Sequence, residues 1–150
     1  MAAGTDTLGG APARQGTVRD VVAHRGAGPV VTVPEDVGLS EVVGLMRLHG
    51  ISQIPVMRGG KVVGVLTDAH LLAAIVAGDD APQTAGAVAD PGFAVVELDT
   101  DVLTAAARLR GARVALVLDE TGAPTSVLSP IDLLDHLLRR GALGGWRGGR

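Results

Sequence analysis

Cysteine is absent from the chain, which excludes disulfides, thiolate zinc sites and cysteine nucleophiles. Aromatic residues amount to 1%, with Phe93 and Trp146 the only large rings, so Val, Leu, Ile and Ala must fill any core. So few rings also exclude a base-stacking nucleic-acid surface. The net charge of −3 argues against a phosphate-backbone partner. No apolar run approaches the ~20 residues that a membrane helix needs. The opening segment MAAGTDTLGGAPARQG lacks the basic and apolar regions of a signal peptide, and a cytoplasmic location is expected. What remains is a chain of 150 residues, 47% hydrophobic and 19% charged, a composition that reads as globular. The first sixteen residues and the last ten offer little to bury and are expected to be loose tails.

The main internal signal is a repeat. The segment VVTVPEDVGLSEVVGLMRLHGISQIPVMRGGKVVGVLTDAHLLAAI has a counterpart in FAVVELDTDVLTAAARLRGARVALVLDETGAPTSVLSPIDLLDHLL, displaced by 61 to 63 residues. Each copy opens on a β-branched run, Val30 to Val33 or Ala94 to Leu98. A helical stripe follows at i, i+3, i+4, i+7: Leu39, Val42, Val43 and Met46, or Val102, Ala105, Ala106 and Leu109. Gly50 or Gly111 marks the expected helix stop. A hairpin comes next, Gln53 to Met57 returning as Val62 to Leu66 through Arg58-Gly59-Gly60-Lys61, and Val114 to Leu118 returning as Thr125 to Leu128. Closing helices carry Leu71, Leu72, Ile75 and Val76, or Leu133, Leu134, Leu137 and Leu138, as their predicted buried stripes.

Each copy is therefore β-α-β-β-α, and the fold class is α/β (α+β). A short helix, Val18 to Ala23 or Gln83 to Val88, precedes each copy. The expected boundaries are 17–78 for the first unit, 79–84 for a polar linker and 85–140 for the second. Neither copy alone has enough core, so the two are expected to pack as one pseudo-two-fold body.

Most chemical constellations are missing. No glycine-rich phosphate loop opens a helix, no Ser-His-Asp set stands out, and His24, His49, His70 and His136 lack metal-ligand spacing. With no nucleophile, metal cluster or acid-base pair, the chain reads as non-catalytic. One pair of segments differs. SVLSPIDLL places Ser129 and Asp132 at a strand-to-helix junction, and GVLTDAHLL places Thr67 and His70 at the same point of the first copy. A hydroxyl followed three residues later by an acid is a helix capping signature, and Pro130 suits the first helical position. Such a helix start can also hold a polar ligand.

The segment GISQIPVMRGGKVVGVLTDAHLL resembles the core of a CBS domain, the regulatory unit named after cystathionine β-synthase, and GARVALVLDETGAPTSVLSPIDLL resembles it more weakly. The likeness covers roughly residues 17 to 140. It implies a tandem pair, or Bateman module, similar to the regulatory region of cystathionine β-synthase, that binds S-adenosylmethionine, AMP, ADP or ATP between its two copies. The family motif Gly-apolar-x-Thr/Ser-x-x-Asp implies that Asp132 accepts from ribose hydroxyls and that Ser129 contacts the phosphate or ribose, with Ser126 replacing the Gly. The first copy keeps Gly64 and Thr67 but has His70 in place of the acid. A neutral imidazole offers one acceptor where a carboxylate offers several, so this second site is expected to be degenerate.

The resemblance also assigns the other copy's pre-hairpin segment to each site. Ile51, Ser52, Gln53 and Ile54 go with Ser129, Ile131 and Asp132; Ala112, Arg113, Val114 and Ala115 go with Thr67 and His70. Ile131, Ile51 and Ile54 would flank the purine. Ser52 and Gln53 are uncharged, and a phosphate there lacks charge-assisted bonds worth about 1.5–3 kcal/mol each. That favours S-adenosylmethionine, which needs no phosphate clamp, and the implied role is to modulate a partner enzyme or domain. CBS pairs commonly form homodimers, so the alternative is a structural dimerisation module without a ligand.

Overall fold

The computed structural model describes residues 15–25, 30–78 and 84–141. The N-terminal tail to residue 14, linker residues 79–83 and the tail from residue 142, with Trp146, lie outside the described residues. The elements in chain order are α1 (Val18–Arg25), β1 (Val33–Pro34), α2 (Leu39–His49), β2 (Gln53–Arg58), β3 (Lys61–Thr67), α3 (Asp68–Ala77), α4 (Ala85–Val88), β4 (Ala94–Glu97), α5 (Val102–Arg108), β5 (Ala115–Leu118), β6 (Pro124–Leu128) and α6 (Pro130–Arg139). They form two three-stranded sheets, ordered β1-β2-β3 and β4-β5-β6. In each, the first strand pairs parallel to the second and the second antiparallel to the third. The mixed α/β class and the repeated β-α-β-β-α order follow the sequence pattern. Both ladders also shift register at the same place, Val56/Met57 and Val117/Leu118.

The compact units divide the chain differently from the repeats. The first lobe is Pro29–Phe93, and the second combines Met1–Gly28 with Ala94–Arg150. Helix α1, which precedes the first repeat, thus belongs to the lobe built on the second. Val18 and Val21 are buried with Val96, Val102, Ala115 and Leu133 in the second lobe's core. Helix α4, which precedes the second repeat, covers the first repeat's sheet, and Ala85 is buried with Val33, Val42, Ile54 and Leu66.

Local chemistry explains the turns. Gly59 and Gly60 have φ of +54° and +85°, and Arg58 pairs with Lys61 across them. This two-residue connection needs positive φ at both central positions, which glycine adopts without strain. The second hairpin turns on Asp119, whose Oδ1 accepts the N–H groups of Thr121 at 2.9 Å and Ala123 at 3.0 Å. Strand β1 is shorter than its apolar run suggests: only Val33 of Val30 to Val33 pairs, together with Pro34, against Val56 and Met57.

The closing helices depart from expectation. Leu71 is buried, but Leu72, Ile75 and Val76 are 64%, 60% and 76% exposed. In α6, Leu133 is buried while Leu134 and Leu138 are about half exposed. The helices are rotated relative to the predicted stripe, so His136 takes a buried place instead, with Nε2 2.6 Å from the Gln15 carbonyl. A three-stranded sheet needs only one narrow helix face to cover it, and the remaining leucines point away. No helix among the described residues is long and apolar enough to cross a membrane.

Two outcomes are expected. A Cβ added at Gly64 would lie 2.7 Å from the Ala89 Cβ and 3.1 Å from the Asp90 carbonyl oxygen. Gly64→Ala should therefore cost about 1–3 kcal/mol in urea denaturation, an overpacking penalty. Asp101 caps α5, accepting from the Thr104 N–H at 3.0 Å and its hydroxyl at 2.7 Å. These Thr104 bonds hold its carboxyl below the ordinary 3.8. A lowered folded-state value stabilises above the unfolded-state value and is lost as pH falls through the folded one. Asp101→Ala should cost about 0.5–2 kcal/mol near neutrality. The difference from wild type should shrink as pH is taken below the ordinary carboxylate range, measured by denaturation at several pH values.

Candidate functional site

At the first junction Thr67 ends β3 and caps α3. Its Oγ1 accepts the His70 backbone N–H at 3.2 Å, and its own N–H points to His70 Nδ1 at 3.4 Å. The hydroxyl lies 2.9 Å from the same Nδ1. A ring nitrogen facing an N–H must accept, which assigns the imidazole proton to Nε2. Nε2 in turn lies 3.7 Å from Asp90 Oδ2. His70 thus stands in the acid's place in a capping box, and Asp90 backs it from outside the motif. Asp90 is held by paired backbone bonds with Val65 at 2.9 and 3.0 Å, and its Oδ1 accepts the Gly92 N–H at 2.8 Å.

Sequence reasoning missed Asp90. Gly64 carried the signal, since a bare residue inside a strand marks a close backbone approach, and the Ala89–Asp90 segment is what approaches.

The second junction has the same design with a carboxylate. Asp132 Oδ2 accepts the Ser129 N–H at 2.8 Å and its hydroxyl at 3.2 Å. Ser129 caps α6, with Pro130 in the first turn. Ser129 and Asp132 are half-buried, while Ile131 between them is 66% exposed, an apolar surface next to the carboxylate. Ser126, at the place of the motif glycine, is buried.

Each pre-hairpin segment lies beside its own copy's junction. Gln53 pairs with Thr67, and the Ser52 carbonyl accepts the Asp68 N–H at 3.0 Å. Ala115 pairs with Leu128, next to Ser129. The first lobe therefore brings together Ser52, Gln53, Thr67 and His70; the second brings together Val114, Ala115, Ser129 and Asp132. Ile51 is half-buried, while the Ile54 side chain is fully buried in the first lobe's core and does not flank a purine as the resemblance implied. Val114 and Ala115 are buried likewise, Ala112 is half-buried and Arg113 is exposed. A groove of about 510 Å³ runs between α2 and α3, floored by Met46 and Leu71, with Ile51, Ser52 and Asp68 at one end. Among the described residues no group of three or more His, Asp or Glu is placed to hold a metal ion.

The model of the CBS domain matches residues 18–77 and 85–139. The chain belongs to the CBS-domain family, as a tandem pair.

A Methanocaldococcus jannaschii relative, the uncharacterised protein MJ0653, is 31% identical over 42 residues, which span 28% of this chain and 22% of that protein. Among solved structures, the CBS domain of a CBS-domain-containing membrane protein from Sphaerobacter thermophilus superposes with a TM-score of 0.69 at 24% identity, over 91% of this chain and 98% of that one. CBSX2 in complex with AMP gives 0.64 at 21% identity, over 82% and 96%. The CBS pair of MJ0100, in complex with 5′-methylthioadenosine and S-adenosyl-L-methionine, gives 0.67 at 17% identity, over 82% and 95%.

Each junction has its own expected response to substitution. Ser129→Ala removes an N-cap hydroxyl and should cost about 0.5–2 kcal/mol in thermal or urea unfolding. His70→Asp keeps an acceptor at the third helical position beside Thr67 but sets a second carboxylate near Asp90. Its stability should rise when Asp90→Asn is added, which a double-mutant cycle measures directly.

Proposed function

We propose that this chain is a non-catalytic regulatory module that senses an adenosine-type ligand and modulates a partner enzyme or domain. The observation that carries this reading is the Ser129–Asp132 pair. A half-buried carboxylate, oriented by a neighbouring hydroxyl and N–H, sits in the first turn of a ten-residue helix beside the exposed Ile131. Carboxylate oxygens suit a ribose diol, and the adjacent aliphatic side chain suits a purine face. Asp132 takes the ribose hydroxyls and Ser129 the neighbouring polar group, with Ile51, Ser52, Gln53 and Ile54 as the segment that completes the site. Relatives of the same fold are known with AMP and with S-adenosylmethionine. The uncharged Ser52 and Gln53 favour S-adenosylmethionine.

At the other junction, with Ala112 to Ala115 as its assigned segment, Thr67 and His70 form the same capping box as Ser129 and Asp132, with an imidazole in place of the carboxylate. That site is the weaker one, and a ribose gains less from a single imidazole than from a carboxylate. The working form is a homodimer in the cytoplasm: Leu72, Ile75 and Val76 on α3 are more than half exposed, an apolar face suited to self-association. If both ligand sites are vestigial, this same surface supports a module that only dimerises.

Thermal unfolding in the presence of S-adenosylmethionine, AMP, ADP and ATP tests the reading, on the native chain and on Asp132→Ala. A ligand at about 100 times its Kd stabilises by ~2.7 kcal/mol, a rise in Tm of roughly 5–10 °C for a chain of this size. The expected result is a rise with one adenosine ligand that Asp132→Ala abolishes, read as the ligand-dependent shift rather than the starting Tm. Absence of any shift would remove the sensing role and leave the dimerisation reading.

A further inference from the structure

The two lobes differ at their hairpin ends, away from the junctions just described. In both, the short leading helix is pinned to the first strand's loop by matched bonds. Val18 N–H donates to Thr100 and Arg19 N–H to Leu98, both at 2.8 Å; Ala85 N–H donates to Val37 at 2.8 Å and Gly86 N–H to Glu35 at 2.7 Å. The flanking bridges Thr17–Asp101 and Gly38–Thr84 match as well. So do the bonds from Leu98 N–H to Leu118 at 3.2 Å and from Glu35 N–H to Met57 at 3.0 Å. Arg19 is therefore the structural counterpart of Gly86, and Asp99 that of Asp36.

In the second lobe this position is filled. The Arg19 guanidinium reaches Asp99 at 3.1 Å and Glu120 at 3.7 Å. The first lobe has no side chain at Gly86, and a Cβ there would meet the Glu35 Cβ at 2.8 Å. A cavity of about 590 Å³ opens instead, bordered by Glu35, Asp36, Arg58, Thr84, Gly86 and Ala87. Glu35 is neutralised by Arg58, whose Nε lies 2.9 Å from both carboxylate oxygens. Asp36, the counterpart of the acid that holds Arg19, has no hydrogen-bond or ion-pair partner among the described residues. The cavity thus carries one uncompensated negative charge, and its volume lies within the ~300–1,000 Å³ usual for small-ligand pockets.

We infer that this cleft is a binding site for a guanidinium group supplied from outside the chain, seated as Arg19 is seated in the second lobe. The chain contains its own template for the complex: the same fold position, the same aspartate and the matching planar cation. A guanidinium presents a charged fork of donors to a carboxylate, and the charge is what a neutral ligand of the same shape lacks. The walls are fixed by the backbone bonds from Ala85 to Val37, from Gly86 to Glu35 and from Glu35 to Met57, so the site is formed before the ligand arrives.

Titration of the ¹⁵N-labelled full chain with methylguanidinium, followed by amide shifts, tests this. Saturable changes centred on Asp36, Gly59, Gly86 and Ala87 are expected, with no such response to the neutral isostere methylurea. Asp36→Asn, at an exposed position, should weaken binding about tenfold, the loss of one charge-assisted bond. Free L-arginine and a blocked Gly-Arg-Gly tripeptide then separate the two sources of the group. Tighter binding of free arginine marks a small metabolite, and tighter binding of the tripeptide marks a protein side chain. An equal response to methylurea, shifts that never saturate, or binding unchanged by Asp36→Asn would overturn the proposal.

Discussion

Everything in this structure depends on how a three-stranded sheet closes its core. Three short strands and two helices bury too little on their own, and each lobe completes its core with a helix taken from beside the other repeat. Val18 and Val21 are 0% and 1% exposed within the second repeat's core, and Ala85 is fully buried in the first. Neither repeat can be cut out along its sequence boundary without removing buried side chains from the other. The tandem arrangement is thus a condition of folding before it is a condition of function.

The same economy governs the strand-to-helix junctions. A helix start leaves backbone N–H groups without helical partners, and each junction satisfies one with a hydroxyl three residues upstream. The acceptor at the third helical position then serves twice. Asp132 stabilises the turn through Ser129 and presents a carboxylate beside the exposed Ile131. His70 does the first job with Nδ1, and its Nε2 faces Asp90. Replacing an acid by an imidazole therefore keeps the cap while changing what the position can offer to anything outside.

Elements whose pattern is local were legible in the sequence: the stripes of α2 and α5, the Gly59-Gly60 turn, both hairpins, and the two junction motifs. Each follows from the periodicity or turn chemistry of a dozen residues at most. What was not legible depends on distant partners. Leu72, Ile75 and Val76 read as core because their spacing is helical, yet spacing says only that they share a face, not that a surface awaits it. His136 lay outside the predicted stripe, and it is buried with its Nε2 2.6 Å from the carbonyl of Gln15, 121 residues away in sequence. Asp90 carries no motif at all, and the bare strand residue Gly64, against which its segment packs, was its only trace.

The repeats diverge in opposite directions at their two ends. At the junction end both copies close a hydroxyl onto the third helical residue; the first sets Asp90 behind His70, and the second has a carboxylate beside an exposed aliphatic side chain. At the hairpin end it is the second copy that turns inward, through Arg19, Asp99 and Glu120, while the first leaves Asp36 facing a cavity. A duplicated fold starts with two equivalent sets of positions, and packing constrains each set only weakly once the cores are closed. One copy of a position can then absorb a polar partner from the chain itself, which contributes stability. At the hairpin end the other copy, Asp36, has no such partner among the described residues. At the hairpin end the leading helices make the same backbone bonds in both lobes, and the Arg19–Asp99 pair of one is the pattern on which the guanidinium proposal for Asp36 in the other rests.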